Sequence, residues 1–282
     1  LGKGADDGLL PLLYFPAENG KHLGQALQHG RIIPKRGCLC YIRRMLKAFS
    51  ESLLSFIFPV SCEICGDLLP LKNLGGVCGT CQKTLSLIPA PHCPKCGRFS
   101  SEFTKDCSAC RGEMFYFNSV HGAVYYDGRA KELLRAFKFE RRTLLAGPLL
   151  DLLERSIREN CITGAWDGVV AVPMHPLQRF ERGFDQAQLL ARGVSKLVGK
   201  PFLRGALLSK LPRRTQSLLG KTQRKENVKG RFSPGRNMDL SGKKILLVDD
   251  ILTTGETASQ CAKVLKDSGV VSVDVMVVAR GL

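Results

Sequence analysis

Residues 245–257 read Ile245-Leu246-Leu247-Val248-Asp249-Asp250-Ile251-Leu252-Thr253-Thr254-Gly255-Glu256-Thr257. Four consecutive apolar residues predict a buried strand that ends in two carboxylates, and a Thr-Thr-Gly turn then opens a helix. Backbone N–H groups at that helix start, with the Thr hydroxyls, make an anion socket supported by the helix dipole. The turn lies at the carboxyl end of a strand, where open α/β sheets place their ligands. Two acids beside such a socket would repel phosphate alone. They make sense if the ligand also offers hydroxyl donors, as a ribose 5-phosphate does, or carries a divalent cation. Thr-Thr-Gly by itself reads as an ordinary helix cap with solvated acids; the full thirteen-residue pattern is more specific.

Outward from this stretch the pattern repeats. From about Phe115, short apolar strands alternate with amphipathic segments of helical length. Strands are expected at Val120–Tyr126, 168–172, Lys244–Val248 and Ser272–Ala279. Helices are expected from Ala130, through Leu144–Ile157, near Gln186–Val198 and near Glu256–Lys266. Strand–helix alternation with unalternating Val, Ile and Leu in the strands predicts an α/β domain over 115–282, its parallel sheet covered on both faces.

Ahead of that domain, residues 61–112 are rich in Cys, Gly and Pro and poor in large apolar residues, so the segment needs a staple to fold. Eight of the chain's twelve cysteines form four CxxC pairs there: Cys62/Cys65, Cys78/Cys81, Cys93/Cys96 and Cys107/Cys110. Each pair offers two thiolates from one tight turn, and eight thiolates suit two tetrahedral zinc sites. The spacing favours sequential pairing, with a cross-braced arrangement left open. Disulfides are the rival in an oxidising compartment, and an iron–sulfur cluster lacks a compact ferredoxin run. With four protein ligands each, these ions are structural. Gly66 and Gly97 directly follow a knuckle, where positive φ is expected. Cys161 and Cys261, on helical stretches with apolar neighbours, read as core residues, and Trp166 as packing.

Residues 1–44 show no sustained period and read as a disordered extension or an upstream read-through of the gene. An amphipathic helix is expected over 45–60. No apolar run approaches the ~20 residues of a membrane span, and acids precede the first apolar stretch, so the chain reads as soluble and cytoplasmic without membrane insertion. The net charge of +17, from 42 Lys+Arg against 25 Asp+Glu, points to polyanionic partners. Residues 204–236 carry ten Lys/Arg and one acid, Glu226. This segment reads as a cationic lid or as a track for a single-stranded backbone, with a merely solvated basic face as the plain alternative.

The thirteen-residue pattern resembles the fingerprint of type I phosphoribosyltransferases. A second stretch, Pro173-Met174-His175-Pro176 followed by Arg179 and Arg182-Gly183-Phe184-Asp185-Gln186-Ala187, is similar to the ComF family, as is Arg214-Thr215-Gln216 with Arg224 and Asn227. ComF proteins are bacterial proteins of DNA uptake that join a zinc ribbon to a phosphoribosyltransferase domain, and the resemblance runs from about Leu46 to the C-terminus. It implies a type I phosphoribosyltransferase fold with a central parallel sheet, preceded by a small zinc-ribbon module. It also implies binding of 5-phosphoribosyl 1-diphosphate with magnesium. Asp249 and Asp250 would hold the ribose hydroxyls, and Thr253, Thr254, Gly255 and Thr257 the 5-phosphate. Met174 and His175 would hold the diphosphate, largely through backbone N–H groups, and Arg182 and Arg224 would also bind the substrate. The family usually carries Asn where this chain has Asp185. The implied function is phosphoribosyl transfer linked to DNA uptake, to an acceptor that no motif names. The alternative is a non-catalytic single-stranded DNA-binding factor whose phosphoribosyl site is regulatory. Partners implied are single-stranded DNA and a DNA-uptake helicase or other competence proteins.

Overall fold

The computed structural model describes residues 60–70, 76–101, 107–210, 230–236 and 238–281. The chain divides into two units, Leu1–Phe49 and Ser50–Leu282, and all that follows concerns the second. The expected segments 1–44 and 45–60, apart from Val60, lie outside the described residues, as do Arg214, Arg224 and Asn227.

The elements in chain order are β1 (Val60–Ser61), β2 (Leu68–Leu69), α1 (Gly79–Thr84), β3 (Ser119–Tyr125), α2 (Gly128–Phe139), a 3-10 turn (Thr143–Leu145) and α3 (Ala146–Glu159). They continue with β4 (Gly168–Ala171), α4 (Pro176–Arg182), α5 (Gln186–Leu197), β5 (Leu207–Ser209), β6 (Phe232–Pro234), β7 (Lys244–Leu252), α6 (Glu256–Asp267) and β8 (Ser272–Arg280). The main sheet has the order β3-β8-β7-β4, with every neighbouring pair parallel.

Its central strand shows why the sequence pattern was unbroken. Ile245 through Val248 are all fully buried because β7 is sandwiched between two apolar layers. Leu246 and Val248 face a cluster built with α2, α3 and α5, including Phe137, Leu149 and Leu190. Ile245 and Leu247 face a second cluster with Cys261 and Leu265 of α6 and Phe232 of β6. Burying each such side chain contributes about 1.5–3 kcal/mol, so both layers hold the sheet. No helix among the described residues is long and apolar enough to cross a membrane.

Two expectations need correction. β7 does not end at the acids; it pairs on with β8 through Asp249↔Val277, Ile251↔Ala279 and Leu252↔Arg280, so both carboxylates are strand residues. Cys161 is not in the core. It is exposed, with φ +48, just past the end of α3. Cys261 is fully buried, as expected, and burial pushes its thiol well up. Trp166 is buried and its Nε1 donates to Asp274 Oδ2 at 2.8 Å.

Candidate functional site

Two adjacent parallel strands send the chain in opposite directions. After β4 it passes to α4 and α5 on one face; after β7 it passes to α6 on the other. Such a switch point opens a crevice at the carboxyl ends of the strands. Here the crevice is a cleft of about 250 Å³, and its walls include Met174, Arg182, Asp249, Asp250 and the whole turn Thr253–Thr257.

The turn leaves the start of a helix open towards the cleft. Gly255 adopts φ +84, a conformation that costs other residues strain, and its ideal Cβ would lie 3.0 Å from the Phe115 ring. It starts α6 with no capping side chain of its own, and only Thr254 Oγ1 approaches the Glu256 N–H, at 3.5 Å. The first amides of α6 therefore point at the cleft without an intrahelical acceptor. Thr253 and Thr254 are exposed.

On the opposite wall the two acids differ. Asp249 is half-buried, and its Oδ1 accepts from the Asp250 N–H at 2.8 Å. Asp250 is buried and paired with Lys138 Nζ at 2.9 Å. Lys138 and Arg231, both cleft-lining, escaped the sequence reading. Lys138 sits in the last turn of α2 between two phenylalanines, where nothing local distinguishes it from a surface lysine. Arg231 is one of the ten basic residues of 204–236, lies over the Phe232 ring at 5.3 Å, and is buried.

The helix pair α4–α5 frames the remaining side. His175 does not line the cleft itself; it caps α4, its Nδ1 accepting from the Leu177 N–H at 3.2 Å. Arg182 Nη1 donates to Gln186 Oε1 at 3.3 Å, and Gln186 Nε2 donates to the Lys138 carbonyl at 3.2 Å, which ties α5 to α2 across the cleft floor. Asp185 caps α5, accepting from the N–H and Nε2 of Gln188, each at 3.0 Å. Burial raises its carboxyl above the usual range, only partly opposed by those donors. Arg224 lies outside the described residues.

The cysteines assemble in sequential pairs: Cys62, Cys65, Cys78 and Cys81 in one group, Cys93, Cys96, Cys107 and Cys110 in the other. All ten described cysteines are free of disulfides. A tetrahedron with Zn–S of ~2.3 Å has S···S edges of about 3.8 Å. The observed edges fit: Cys65–Cys78 at 3.8 Å, Cys93–Cys110 at 3.7 Å and Cys96–Cys107 at 3.5 Å. The two knuckles repeat one backbone pattern. Cys62 N–H donates to Asp67 O and Gly66 N–H to Cys62 O; Cys93 N–H donates to Arg98 O and Gly97 N–H to Cys93 O. Both glycines have φ above +70. Although burial pushes the other way, N–H groups of Cys78, Cys65 and Ile64 hold the Cys62 thiol down to about 6. Cys93 is likewise held at about 7 against burial, by N–H groups of Cys96, Cys107 and Lys95. The donor sets fit two structural zinc ions.

Comparison with known proteins agrees with this arrangement. The double zinc ribbon domain family matches residues 53–111. Competence protein F of Haemophilus influenzae is 27% identical over 228 residues, which cover 79% of this chain and 98% of that protein. DNA utilization protein YhgH of Escherichia coli K12 is 27% identical over 227 residues, again 79% and 98% of the two chains. Competence protein ComFC of Streptococcus pneumoniae is 26% identical, over 74% of this chain and 95% of that one. Among solved structures, an adenine phosphoribosyltransferase is similar over 49% of this chain and 70% of its own, at 16% identity and TM-score 0.32. The chain spans only 26% of the glutamine phosphoribosylpyrophosphate amidotransferase of B. subtilis, at 22% identity and TM-score 0.32. With a double zinc ribbon joined to a parallel α/β domain, the chain is similar to these competence and DNA utilization proteins along almost their full length.

Proposed function

We propose that the cleft binds 5-phosphoribosyl 1-diphosphate and that the protein transfers its phosphoribosyl group. The observation that carries this reading is the meeting, in one switch-point cleft, of an uncapped helix N-terminus with two strand carboxylates. Helix amides suit the 5-phosphate, and acceptor-only carboxylates suit ring hydroxyls. In this reading Thr253, Thr254, Gly255 and Thr257 receive the phosphate. Asp249 and Asp250 take the ribose hydroxyls. Met174, His175, Arg182 and Arg224 serve the diphosphate, His175 by fixing the start of α4. Lys138 and Arg231 add positive charge beside the acids.

The carboxylates of Asp249 and Asp250 are hard oxygen donors of the kind magnesium takes, directly or through water. Magnesium bound with the substrate neutralises charge on the diphosphate. The chain's own part is to hold the ribose by its hydroxyls and phosphate while the C1–O bond to diphosphate breaks. Diphosphate leaves with the electron pair, and an acceptor's lone pair forms the new bond at C1. Cationic groups aimed at the leaving oxygens stabilise the charge that develops there. The names of the relatives place them in competence and DNA utilization, and we assign this chain to the same process.

Release of diphosphate from 5-phosphoribosyl 1-diphosphate, measured against a panel of amine and nucleobase acceptors, tests the activity. The reading requires release that Asp249→Ala abolishes; equal release by the variant refutes it. One observation favours a non-catalytic reading as well, the excess of nine positive charges over 204–236. A single-stranded DNA affinity that falls steeply with salt, survives Asp249→Ala and disappears when those basic residues are neutralised would select that reading instead.

A further inference from the structure

Arg280, the last residue of β8, is buried, and its guanidinium donates to four backbone carbonyls and also meets the Cys96 side chain. Its Nε donates to the Cys96 carbonyl at 2.6 Å. Its Nη1 donates to Leu252 O at 3.0 Å, to Thr253 O, and to Gly281 O at 2.8 Å. One guanidinium thus joins the knuckle of the second cysteine group to the first residues of the anion-binding turn. A second contact runs in parallel. Phe115 packs on the four cysteines of that group, and the same ring lies 3.0 Å from where a Cβ of Gly255 would be. Phe115 also stacks on Phe117 at 4.7 Å, which fixes its plane.

Charge points the same way. Neutral carbonyls alone would leave a buried guanidinium without a counter-charge, which is costly. Zinc held by four thiolates carries a net double negative charge, and Cys96 and Cys107 face Arg280. Arg98 faces it too, adding a second cation to the same neighbourhood.

We propose that the second zinc ribbon is the buttress of the phosphate turn, and that Arg280 is the positioning residue that couples metal occupancy there to the order of residues 252–255. The proposal rests on the phosphoribosyl reading only in calling the turn a phosphate site. With zinc lost, Cys96 no longer presents a fixed carbonyl, Arg280 loses its compensating charge, and the turn loosens although no cleft residue has changed.

The test is hydrogen exchange of the full zinc-loaded chain, read by mass spectrometry and paired with zinc analysis and titration with 5-phosphoribosyl 1-diphosphate and magnesium. In Arg280→Gln, peptides covering 252–258 should exchange about tenfold faster or more, while α3 and α5 keep their protection and zinc content is unchanged. Arg280→Lys, which keeps the charge but reaches fewer carbonyls, should fall between. Cys107→Ala, which opens the second group, should loosen the same peptides. If Arg280→Gln does not fold, Phe115→Leu carries the test through the other contact. Unchanged exchange at 252–258 in these variants overturns the proposal, and so does a uniform rise across α3 and α5. Because exchange needs no ligand, a wild-type chain that fails to bind the sugar defeats the phosphoribosyl reading and leaves this one still judged. Variants that bind as wild type with an unaltered turn defeat this one alone.

Discussion

Replacing Lys138 by Met tests whether the cleft is held together by charge. Lys138 Nζ sits 2.9 Å from Asp250 Oδ1, with side-chain exposures of 15% and 7%, so the pair is largely dry. Removing one member of such a pair leaves an uncompensated buried charge and costs about 3–5 kcal/mol. Asp185 is also buried nearby and adds like charge, since its carboxyl feels that of Asp250. The cost should therefore fall within that range, a large share of the ~5–15 kcal/mol by which domains are usually stable. Adding Asp250→Asn to Lys138→Met removes the orphaned charge and should recover about half of the loss or more. The assay is urea unfolding with zinc in excess, followed by the fluorescence of Trp166, the only tryptophan and a buried one. A loss below about 1 kcal/mol in the single variant, or no recovery in the double, refutes the argument.

Other outcomes follow from the same packing. Asp185→Asn keeps the α5 cap but removes a carboxylate whose pKa burial has raised. It should stabilise the fold at pH 7, and the gain should shrink as pH falls through the carboxylate range, where the native Asp takes up its proton; no gain at pH 7 in pH-dependent urea unfolding would refute this. Burial, with His92 adding to it against Asp274, pushes His121 down to about 4. The unfolded chain then binds the proton first, so stability is full above about pH 6.5 and falls by up to about 3 kcal/mol as pH drops towards 4. His121→Gln should flatten that part of the profile in pH-dependent unfolding; an unchanged slope would exclude the assignment. Elemental analysis should find about two zinc ions per chain. Fewer than one would contradict the four-thiolate reading.

Much of this could be read from the residues, for reasons that are local. The run Ile245–Val248 and the turn Thr253-Thr254-Gly255 encode strand, turn and helix start within one stretch of chain, and the four CxxC pairs encode their own ligand geometry. What escaped is tertiary. The length of β7 depends on pairing with β8, which no window around Asp249 contains. The hairpin β5–β6 joins three-residue strands separated by more than twenty residues, too short and too distant to leave a pattern. Lys138 and Arg280 act through groups far away in sequence. Arg280 did carry a faint sign, since a charged residue closing the run Val277-Val278-Ala279 needs a buried partner. Cys161 misled because Ile157 and Ile162 beside it are half-buried and pack on the core, whereas its own backbone has already left the helix.

The central claim is that the turn after β7 and the acids before it hold one activated sugar phosphate between them. Calorimetric titration with 5-phosphoribosyl 1-diphosphate and magnesium measures this without needing the acceptor. Saturable binding at one site per chain, weakened about tenfold or more by Asp249→Ala, is the predicted result. No binding by the intact zinc-loaded chain, or binding indifferent to that substitution, would contradict it.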